Sequence, residues 1–388
     1  MPDRPGRPFD VVLLGATGFT GGLTADYLAA NAPDGLRWAV AGRSPTKLEA
    51  VVERLSAGLI PSLLPADVTD PNAMRELAEQ TRVLATTVGP YVEHGEPAVA
   101  ACAAAGTDYC DLTGESEFVD HTWLAHHDTA VKTGSRLVHS CGFDSIPHDL
   151  GAWYTVGQLP PDVPLTVEGF VRASAGFSGG TYQSAVRGFS RVRQANTLSA
   201  RRRRSEERPT GRRVRALPQR LRRGPDRHGW AVPLPTIDPV VVRRSARALD
   251  RYGPNFAYGH YAWMKHLPTV AGTVIAAGGM LAASQLPPVR DLLLRLKSSG
   301  DGPTPEQRSA SWFTVRFVGA GGGKRVLTEV SGGDPGYDET AKMLAESALC
   351  LAFDDLPDVA GQVTTAQAMA EPLLARLQTA GIGFRTLG

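Results

Sequence analysis

The chain has little cysteine, and its few cysteines lack the spacing of a redox or metal site. The four cysteines among 388 residues are Cys102, Cys110, Cys141 and Cys350, and no two of them form a C-x-x-C pair. Disulfide frameworks and cysteine-ligated zinc sites depend on such spacing, so the sequence predicts neither, and we expect no metal. Four reduced thiols are typical of a cytoplasmic protein.

A strong net charge is also lacking. Lys and Arg number 41 against 39 Asp and Glu, which leaves a formal charge of +2. Hydrophobic residues make up 42% and charged residues 21% of the chain, as in a globular protein with two or three domains. Residues 1–8 contain charges and prolines but no apolar run, so we expect no signal peptide.

The most informative feature that is present is a glycine-rich loop between an apolar run and a helical pattern. The loop consists of Gly15, Ala16, Thr17, Gly18, Phe19, Thr20 and Gly21. In such a unit the glycines permit a tight turn, bring the backbone close to a pyrophosphate and let helix and strand pack closely. The helix N-terminus that follows favours an anion. We therefore predict a dinucleotide site, with a glycine-rich turn that binds no ligand as the alternative.

The second predicted strand ends in a basic residue, where an NAD site usually carries a carboxylate. Arg43 and Ser44 follow the apolar run 38–42, and Lys47 lies one turn further on. A carboxylate at this position binds the ribose 2′-hydroxyl, whereas a guanidinium can bind a 2′-phosphate bidentately. We therefore predict NADP(H) as the cofactor, with a solvated surface arginine as the alternative.

Further predicted strands, over 63–68 and 82–88, end in candidate cofactor contacts. Repeated strand–helix units predict a doubly wound parallel sheet, in which the ligand lies outside the carboxyl ends of the strands. Together with the loop after a later strand, these ends supply the predicted cofactor contacts Asp67, Val68, Val88, Gly89, Pro90, Tyr91, Gly142 and Phe143.

The pattern changes after about residue 165 from strand–helix repeats to alternation of apolar and polar residues. The alternation covers 165–172, 312–318 and 324–330, which indicates antiparallel strands. We predict an α/β fold, a Rossmann-type doubly wound parallel sheet with a second α+β domain that contains an antiparallel or mixed sheet. The predicted division is an NADP-binding domain over 1–150, a substrate and dimerisation domain over 151–355, and a C-terminal helix over 356–388 that returns to the first domain.

A basic insertion is predicted over 194–230. Twelve arginines lie between residues 201 and 227, which indicates a mobile basic loop or a poorly ordered pair of basic helices. Such a segment could contact an acidic carrier protein or an anionic membrane. Nucleic acid is not expected as a partner, because aromatic residues are nearly absent before Trp230. A solvated insertion without a specific role is the alternative.

The stretch 267–289 contains no charged residue. It is long enough for a membrane span, which needs about 20 apolar residues, but Gly and Ala dominate it, so its driving force for insertion is small. We expect a buried or interfacial helix beside a lipid-like substrate, with a membrane-spanning helix as the alternative. The amphipathic segment 290–297 that follows predicts peripheral membrane contact.

Five motifs together resemble the saccharopine dehydrogenase-like oxidoreductases, and within them the trans-acting enoyl reductase branch. The motifs lie at 15–21, 41–43, 88–91, 108–111 and 141–147, and the similarity covers nearly the whole chain except the arginine-rich stretch. The resemblance implies NADPH-dependent reduction of an enoyl double bond in a polyketide or long-chain acyl thioester, for lipid biosynthesis. The implied partners are an acyl thioester on a carrier protein or CoA and a polyketide synthase, and the implied assembly is a homodimer.

The loop at 142–149 departs from the Gly-Leu-Asp-Pro-Gly-Ile-Asp-His type of loop that true saccharopine reductases carry, which argues against an amino-acid substrate. Two alternatives stay open. One is an imine or ketone reductase with the same fold, because a fold does not fix a function. The other is a membrane-associated protein that binds NADPH without catalysis.

Enoyl reduction requires a donor for the enolate oxygen and an acid for the α-carbon. Tyr91 is the first candidate donor, with a packing role as its alternative. Asp111 and Asp144 are candidates to orient water or a donor, and a loop cap is the alternative for Asp144. His148 is a candidate proton carrier near neutral pH, and a structural histidine is its alternative.

Overall fold

Two β-sheets organise the chain. The structure is a computed structural model that describes residues 6–55, 59–174, 186–188, 190–207, 209–225, 228–295 and 302–387. The elements up to residue 156 are β1 (Phe9–Leu14), α1 (Phe19–Asn31), β2 (Trp38–Gly42), α2 (Pro45–Arg54), β3 (Ser62–Pro65), α3 (Pro71–Gln80), β4 (Thr81–Thr86), α4 (Tyr91–His94), α5 (Glu96–Ala105), β5 (Asp108–Asp111), α6 (Ser116–Thr133), β6 (Arg136–Val138) and α7 (Ile146–Val156).

The elements after residue 156 alternate between strands and helices without a regular repeat. They are β7 (Leu165–Ser174), α8 (Val192–Ser205), β8 (Arg213–Ala216), β9 (Arg222–Arg223), β10 (Trp230–Pro233), α9 (Asp238–Ala248), a 3-10 turn (Asp250–Tyr252), β11 (Asn255–Met264), α10 (Leu267–Ser284), α11 (Pro287–Arg295), α12 (Pro305–Ser309), β12 (Trp312–Gly321), β13 (Lys324–Gly332), α13 (Asp338–Phe353), β14 (Gly361–Val363), α14 (Thr365–Thr379) and β15 (Gly383–Thr386).

The first sheet is parallel throughout and confirms the predicted Rossmann-type arrangement. Its seven strands lie in the order β14-β6-β5-β4-β1-β2-β3. Val11, Val12 and Leu13 of β1 are fully buried because helices cover both faces of the sheet. The third strand ends at Pro65, so Asp67 and Val68 lie in the loop beyond it.

The second sheet is mixed, as predicted. Its eight strands include the path β15-β13-β12-β7-β11-β10-β9, and β8 pairs with β11. The pairs β7–β11 and β8–β11 are parallel, whereas β7–β12 and β12–β13 are antiparallel. Phe313, Val315 and Phe317 face inward, where α7 crosses so closely that a Cβ atom on Gly151 would collide with the Phe317 ring. One buried apolar cluster extends from β1 through α13 and α14 to this inner face.

The C-terminal segment contributes to both sheets. β14 pairs with β6 in the first sheet, and β15 pairs with β13 in the second. α14 lies within the predicted C-terminal segment 356–388, and it begins with a capping box in which the side chains of Thr364 and Gln367 each accept a hydrogen bond from the other's backbone N–H. α13, which the sequence assigns to the second domain, packs against α1 and β4. The division of the chain into domains stays a prediction.

The basic insertion is not a mobile loop in the part of the chain that the structure describes. α8 packs along α6, and β8 and β9 join the second sheet. Arg202 is buried and forms ion pairs with Asp120 and Glu206. The prediction of poor order is wrong there because acidic residues far away in the sequence neutralise some of the arginines. Residues 208, 226 and 227 lie outside the described ranges.

Of the two predicted positions of the apolar helix, buried or interfacial, the buried one is wrong. α10 has a mean hydropathy of 1.5, yet only 11% of it is buried, so Val274 and Ile275 lie exposed on it. By length and composition alone, it is the one helix among the described residues that could cross a membrane. Its sequence is apolar on every face, and a pattern without a polar face does not show what covers the helix.

Candidate functional site

The glycine-rich loop lies between the carboxyl ends of β2 and β4. The N–H of Gly15 donates to the carbonyl of Ala41 at 2.8 Å, and the Thr87 hydroxyl donates to the carbonyl of Gly15 at 3.1 Å. Gly15 has a φ of +92°, which an L side chain rarely adopts. The loop therefore opens at the crevice where parallel α/β sheets bind their ligands.

The loop fits a pyrophosphate group. A Cβ atom on Gly15 would lie 2.7 Å from Cγ2 of Val88, and one on Gly21 would collide with the Gly15 carbonyl. At Gly18, in contrast, the nearest contact would be the Gly15 carbonyl at 3.4 Å, so a ligand can approach this backbone. Gly18 caps α1 in an extended conformation without a side-chain hydrogen bond, which leaves the first turn of the helix suited to an anion.

The other residues of the loop differ in their surroundings. Ala16 is buried, Thr17 is exposed, and Thr20 accepts a hydrogen bond from Thr24 through its carbonyl. The Phe19 ring packs edge-on against Tyr337, with ring centroids 4.8 Å apart. The Arg308 guanidinium lies 5.5 Å from the same ring, so Phe19 connects the loop to the second half of the chain.

Basic and hydroxyl groups cluster at the end of the predicted cofactor site that would hold the adenosine. Arg43 and Lys47 are exposed on either side of the start of α2, and Ser44 is its N-cap residue. Hydrogen bonds from Thr69, assisted by the charge of Arg43, lower the pKa of the Asp67 carboxyl. Arg43 therefore lies within electrostatic range of the loop that contains Asp67 and the half-buried Val68.

The hydroxyl of Tyr91, in contrast, is hydrogen-bonded within the protein. Its hydroxyl donates to the Thr86 carbonyl at 3.1 Å and accepts from the Leu112 N–H at 3.2 Å, so it ties the end of β4 to the end of β5. Burial raises its pKa well above the ordinary value. This geometry favours the packing alternative. Gly89 and Pro90 precede Tyr91, and Val88 borders the glycine-rich loop at Gly15.

Asp111 likewise connects the ends of two strands, β5 and β6. Its carboxylate accepts hydrogen bonds from the Thr113 and Ser140 N–H groups and from the Tyr109 hydroxyl, each at 3.0 Å. Nδ1 of His139, a residue that the sequence analysis missed, lies 2.6 Å from the same carboxylate. These contacts hold β5 against β6 and satisfy the carboxylate within the protein.

Asp144 is placed differently, in the loop after β6. The Phe143 N–H donates to the Thr340 hydroxyl at 3.1 Å, and a Cβ atom on Gly142 would lie 2.8 Å from Leu112, so the loop is packed firmly. Oδ2 of Asp144 would lie 3.1 Å from a Cβ atom on Gly114, beside the loop that follows β5. Burial, followed by the negative charge of Asp238, raises the pKa of the Asp144 carboxyl to about 7.

His148 belongs to a buried cluster that the sequence did not predict. Its Nε2 lies 3.7 Å from Oδ2 of Asp238, and Nε2 of His260 lies 3.5 Å from the same oxygen. The Tyr258 hydroxyl lies 3.2 Å from Nδ1 of His260. Burial lowers the pKa of His148 to about 4, although the Asp238 carboxylate opposes this shift, so the imidazole is uncharged at neutral pH.

The predicted catalytic residues therefore form two groups. Tyr91 and Asp111 join the ends of β4, β5 and β6, whereas Asp144, in the loop after β6, and His148, at the start of α7, both lie near Asp238. Asp238 and His260 lie on different elements, and no short spacing in the sequence connects them to His148.

The chain is similar to one family model and to curated relatives over nearly their full length. Residues 11–138 match the family model of the saccharopine dehydrogenase NADP binding domain. A trans-acting enoyl reductase of Mycobacterium ulcerans is 35% identical over 416 residues, which cover 97% of each chain. A saccharopine dehydrogenase-like oxidoreductase of Bos taurus is 32% identical over 427 residues, which cover 98% of each chain.

A solved structure shares the fold. The apo saccharopine dehydrogenase (L-Glu forming) of Saccharomyces cerevisiae superposes with a TM-score of 0.56 at 14% identity, over 98% of this chain and 100% of that chain. A similarity at this level of identity shows the architecture alone.

Proposed function

The chain belongs to the saccharopine dehydrogenase-like oxidoreductases with an NADP(H) cofactor, and on this basis we propose that it is a trans-acting enoyl reductase. Its substrates are polyketide or long-chain acyl thioesters, presented on a carrier protein or CoA for lipid biosynthesis. The structural observation that carries the proposal is the position of the Asp144 carboxyl, beside the loop that follows β5, at the carboxyl end of the sheet that bears the glycine-rich loop.

The residues at the carboxyl ends of the parallel strands bind the cofactor. Reduced NADP, when bound, supplies the hydride for the β-carbon of the substrate. Gly18 and the first turn of α1 bind the pyrophosphate through backbone N–H groups, and Arg43 binds the 2′-phosphate. Val88, packed 2.7 Å from the position of a Cβ atom on Gly15, limits how deeply a ligand can enter beside β4.

Asp144 supplies the proton. Hydride addition to the β-carbon of an enoyl thioester leaves negative charge on the α-carbon and the thioester oxygen, and a positioned acid completes the reduction. With a pKa of about 7, a substantial fraction of the Asp144 carboxyl holds a proton on its oxygen at neutral pH. An ordinary surface aspartate would be almost fully ionised under these conditions.

The surroundings of Asp144 favour an apolar substrate over an amino acid. The Phe143 ring packs edge-on against Phe313 with centroids 5.0 Å apart, and Leu112 borders the same loop. An acyl chain can contact such a surface without leaving charged groups unpaired, whereas the carboxylates of an amino-acid substrate would need cationic partners.

Two surfaces support the partners in this proposal. Arg201, Arg203 and Arg204 are exposed on α8, where they can attract an acidic carrier protein or a polyketide synthase that delivers the thioester. α10 presents exposed apolar side chains on several faces, which suits a lipid surface better than the single groove of a partner protein. We therefore place the protein in the cytoplasm, in peripheral contact with a membrane. A homodimer stays a prediction.

A substrate panel tests this function. The purified protein is incubated with NADPH and either a long-chain trans-2-enoyl-CoA or a 2-oxo acid with ammonia, and both cofactor and acyl products are measured. Turnover of the enoyl thioester alone supports the proposal. Turnover of the oxo acid would instead support an imine or ketone reductase, and tight NADPH binding without any turnover would support a binding protein.

A further inference from the structure

We propose that His148, Asp238 and His260 form a binding site for a divalent transition-metal ion. The three residues come from the start of α7, the start of α9 and the middle of β11. One ligand atom of each residue lies within 4.8 Å of the others. The proposal concerns this chain independently of the reaction it catalyses.

The cluster contains polar atoms for which the protein supplies no partner. All three side chains are almost completely inaccessible, with at most 1% of each residue exposed. Nδ1 of His148, Oδ1 of Asp238 and Nε2 of His260 are buried without a hydrogen-bond partner among the described residues. Because buried polar atoms are normally hydrogen-bonded, Oδ1 of Asp238 and Nε2 of His260 point to a missing partner between two residues that approach each other to 3.5 Å.

Another pair in the same chain shows how a buried histidine and aspartate approach each other through a hydrogen bond. Nδ1 of His139 lies 2.6 Å from Oδ2 of Asp111, and the other oxygen of Asp111 accepts backbone N–H groups. The two imidazoles around Asp238 are at 3.5 and 3.7 Å instead. These longer separations leave space between the ligand atoms, as between atoms that share an ion.

The ligand set matches the chemistry of such an ion. Two neutral imidazoles and one carboxylate are typical ligands of Zn²⁺ and Fe²⁺ in proteins. An ion with metal–ligand distances of about 2.0–2.2 Å fits between ligand atoms that lie 3.5 and 3.7 Å apart. The free oxygen of Asp238 can supply a fourth donor atom, because carboxylates also bind in a bidentate mode.

Neighbouring hydroxyl groups orient two of the three ligands through hydrogen bonds. The Thr236 hydroxyl donates to Oδ2 of Asp238. The Tyr258 hydroxyl is in hydrogen-bond contact with Nδ1 of His260, which directs Nε2 of the same ring toward Asp238. Such contacts fix the tautomer and the rotation of a metal-binding imidazole. A bound ion would connect α7 with the second sheet.

The test measures binding of the metal alone to the full chain. Protein treated with a chelator is dialysed against Zn²⁺, and the bound metal is counted by mass spectrometry, while Co²⁺ reports coordination by its visible absorption. We expect one equivalent per chain, a raised Tm, and a Co²⁺ spectrum of nitrogen and oxygen ligation. In His260→Gln and Asp238→Asn, affinity should fall on the order of 100-fold or more.

His126→Gln is the matched control, since His126 pairs with Glu96 on α5, away from the cluster, and its loss should leave binding unchanged. If His260→Gln does not fold by circular dichroism, Asp238→Asn, which preserves the side-chain shape, carries the comparison. Absence of stoichiometric binding by the parent protein would overturn the proposal. Equal affinities in Asp238→Asn and the parent protein would overturn it as well.

Discussion

The carboxylate of Asp149 accepts a hydrogen bond from the hydroxyl of Ser245 at 2.6 Å, which connects α7 to α9. The other carboxylate oxygen accepts from the Thr365 hydroxyl at 2.8 Å and from the Ala366 N–H at 2.9 Å, at the start of α14. Because Asp149 follows His148 directly, this junction also positions the buried histidine.

Replacement of Asp149 tests how much this junction stabilises the fold. Asp149→Asn puts a donating amide nitrogen where one carboxylate oxygen accepts, so the hydrogen bonds that Ser245, Thr365 and Ala366 donate to this side chain cannot all be kept. We expect the free energy of unfolding to fall by about 1–3 kcal/mol in urea titrations. Asp34→Asn is the control, since Asp34 is exposed, and its unfolding midpoint should match that of the parent protein.

The second prediction concerns cofactor selectivity. Arg43→Ala removes the guanidinium at the end of β2, and loss of a charge-assisted phosphate contact costs about 1.5–3 kcal/mol. NADPH affinity, measured by calorimetry, should therefore fall roughly 10- to 100-fold, with NADH affinity almost unchanged. Arg75→Ala, at an exposed arginine on α3, should leave both affinities as they are. An equal loss for both cofactors would contradict the assignment.

The third prediction concerns the proton donor. Asp144→Asn preserves the shape of the side chain but cannot supply an acidic proton, so kcat for enoyl-thioester reduction should fall roughly 10²- to 10⁴-fold. NADPH affinity should stay unchanged, because the glycine-rich loop is intact. If kcat is preserved, another group or water supplies the proton and Asp144 is a loop residue.

The fourth prediction concerns the exposed helix α10. The double substitution of Val274 and Ile275 by lysine introduces two charges at side chains that are 54% and 73% exposed. We expect the parent protein to float with uncharged phosphatidylcholine liposomes and the double variant to stay in solution, at unchanged Tm. Ile60→Lys is the control, because Ile60 is 72% exposed elsewhere on the surface. Resistance of the parent protein to carbonate washing would instead favour a spanning helix.

Local patterns in the sequence were sufficient for the cofactor half of the fold. The glycine-rich loop, the basic end of β2 and the presence of a helix near the C-terminus each depend on neighbouring residues, so periodicity and turn chemistry predict them. The environment of Tyr91 was not visible in this way, because one partner of its hydroxyl is the Leu112 N–H on the far side of α5.

Contacts between distant segments account for the rest. Asp238 and His260 meet His148 only because β11 pairs with β7 and α9 packs on α7. No local sequence pattern predicts either contact. The exposure of α10 was not predicted for a related reason. The hydrophobicity of a helix does not show which other residues pack against it. The burial of Arg202 could not be predicted without the position of Asp120, with which it forms an ion pair.

The most direct test of the proposed function measures where the hydride of NADPH is transferred. The protein is incubated with NADPH that carries deuterium at the transferable position of the nicotinamide and with a long-chain trans-2-enoyl-CoA, and the acyl product is analysed by mass spectrometry. The account predicts a saturated product with deuterium at the β-carbon and a solvent-derived hydrogen at the α-carbon. An unlabelled or unreduced acyl chain, with label recovered instead in an amine or alcohol made from a carbonyl substrate, would contradict it.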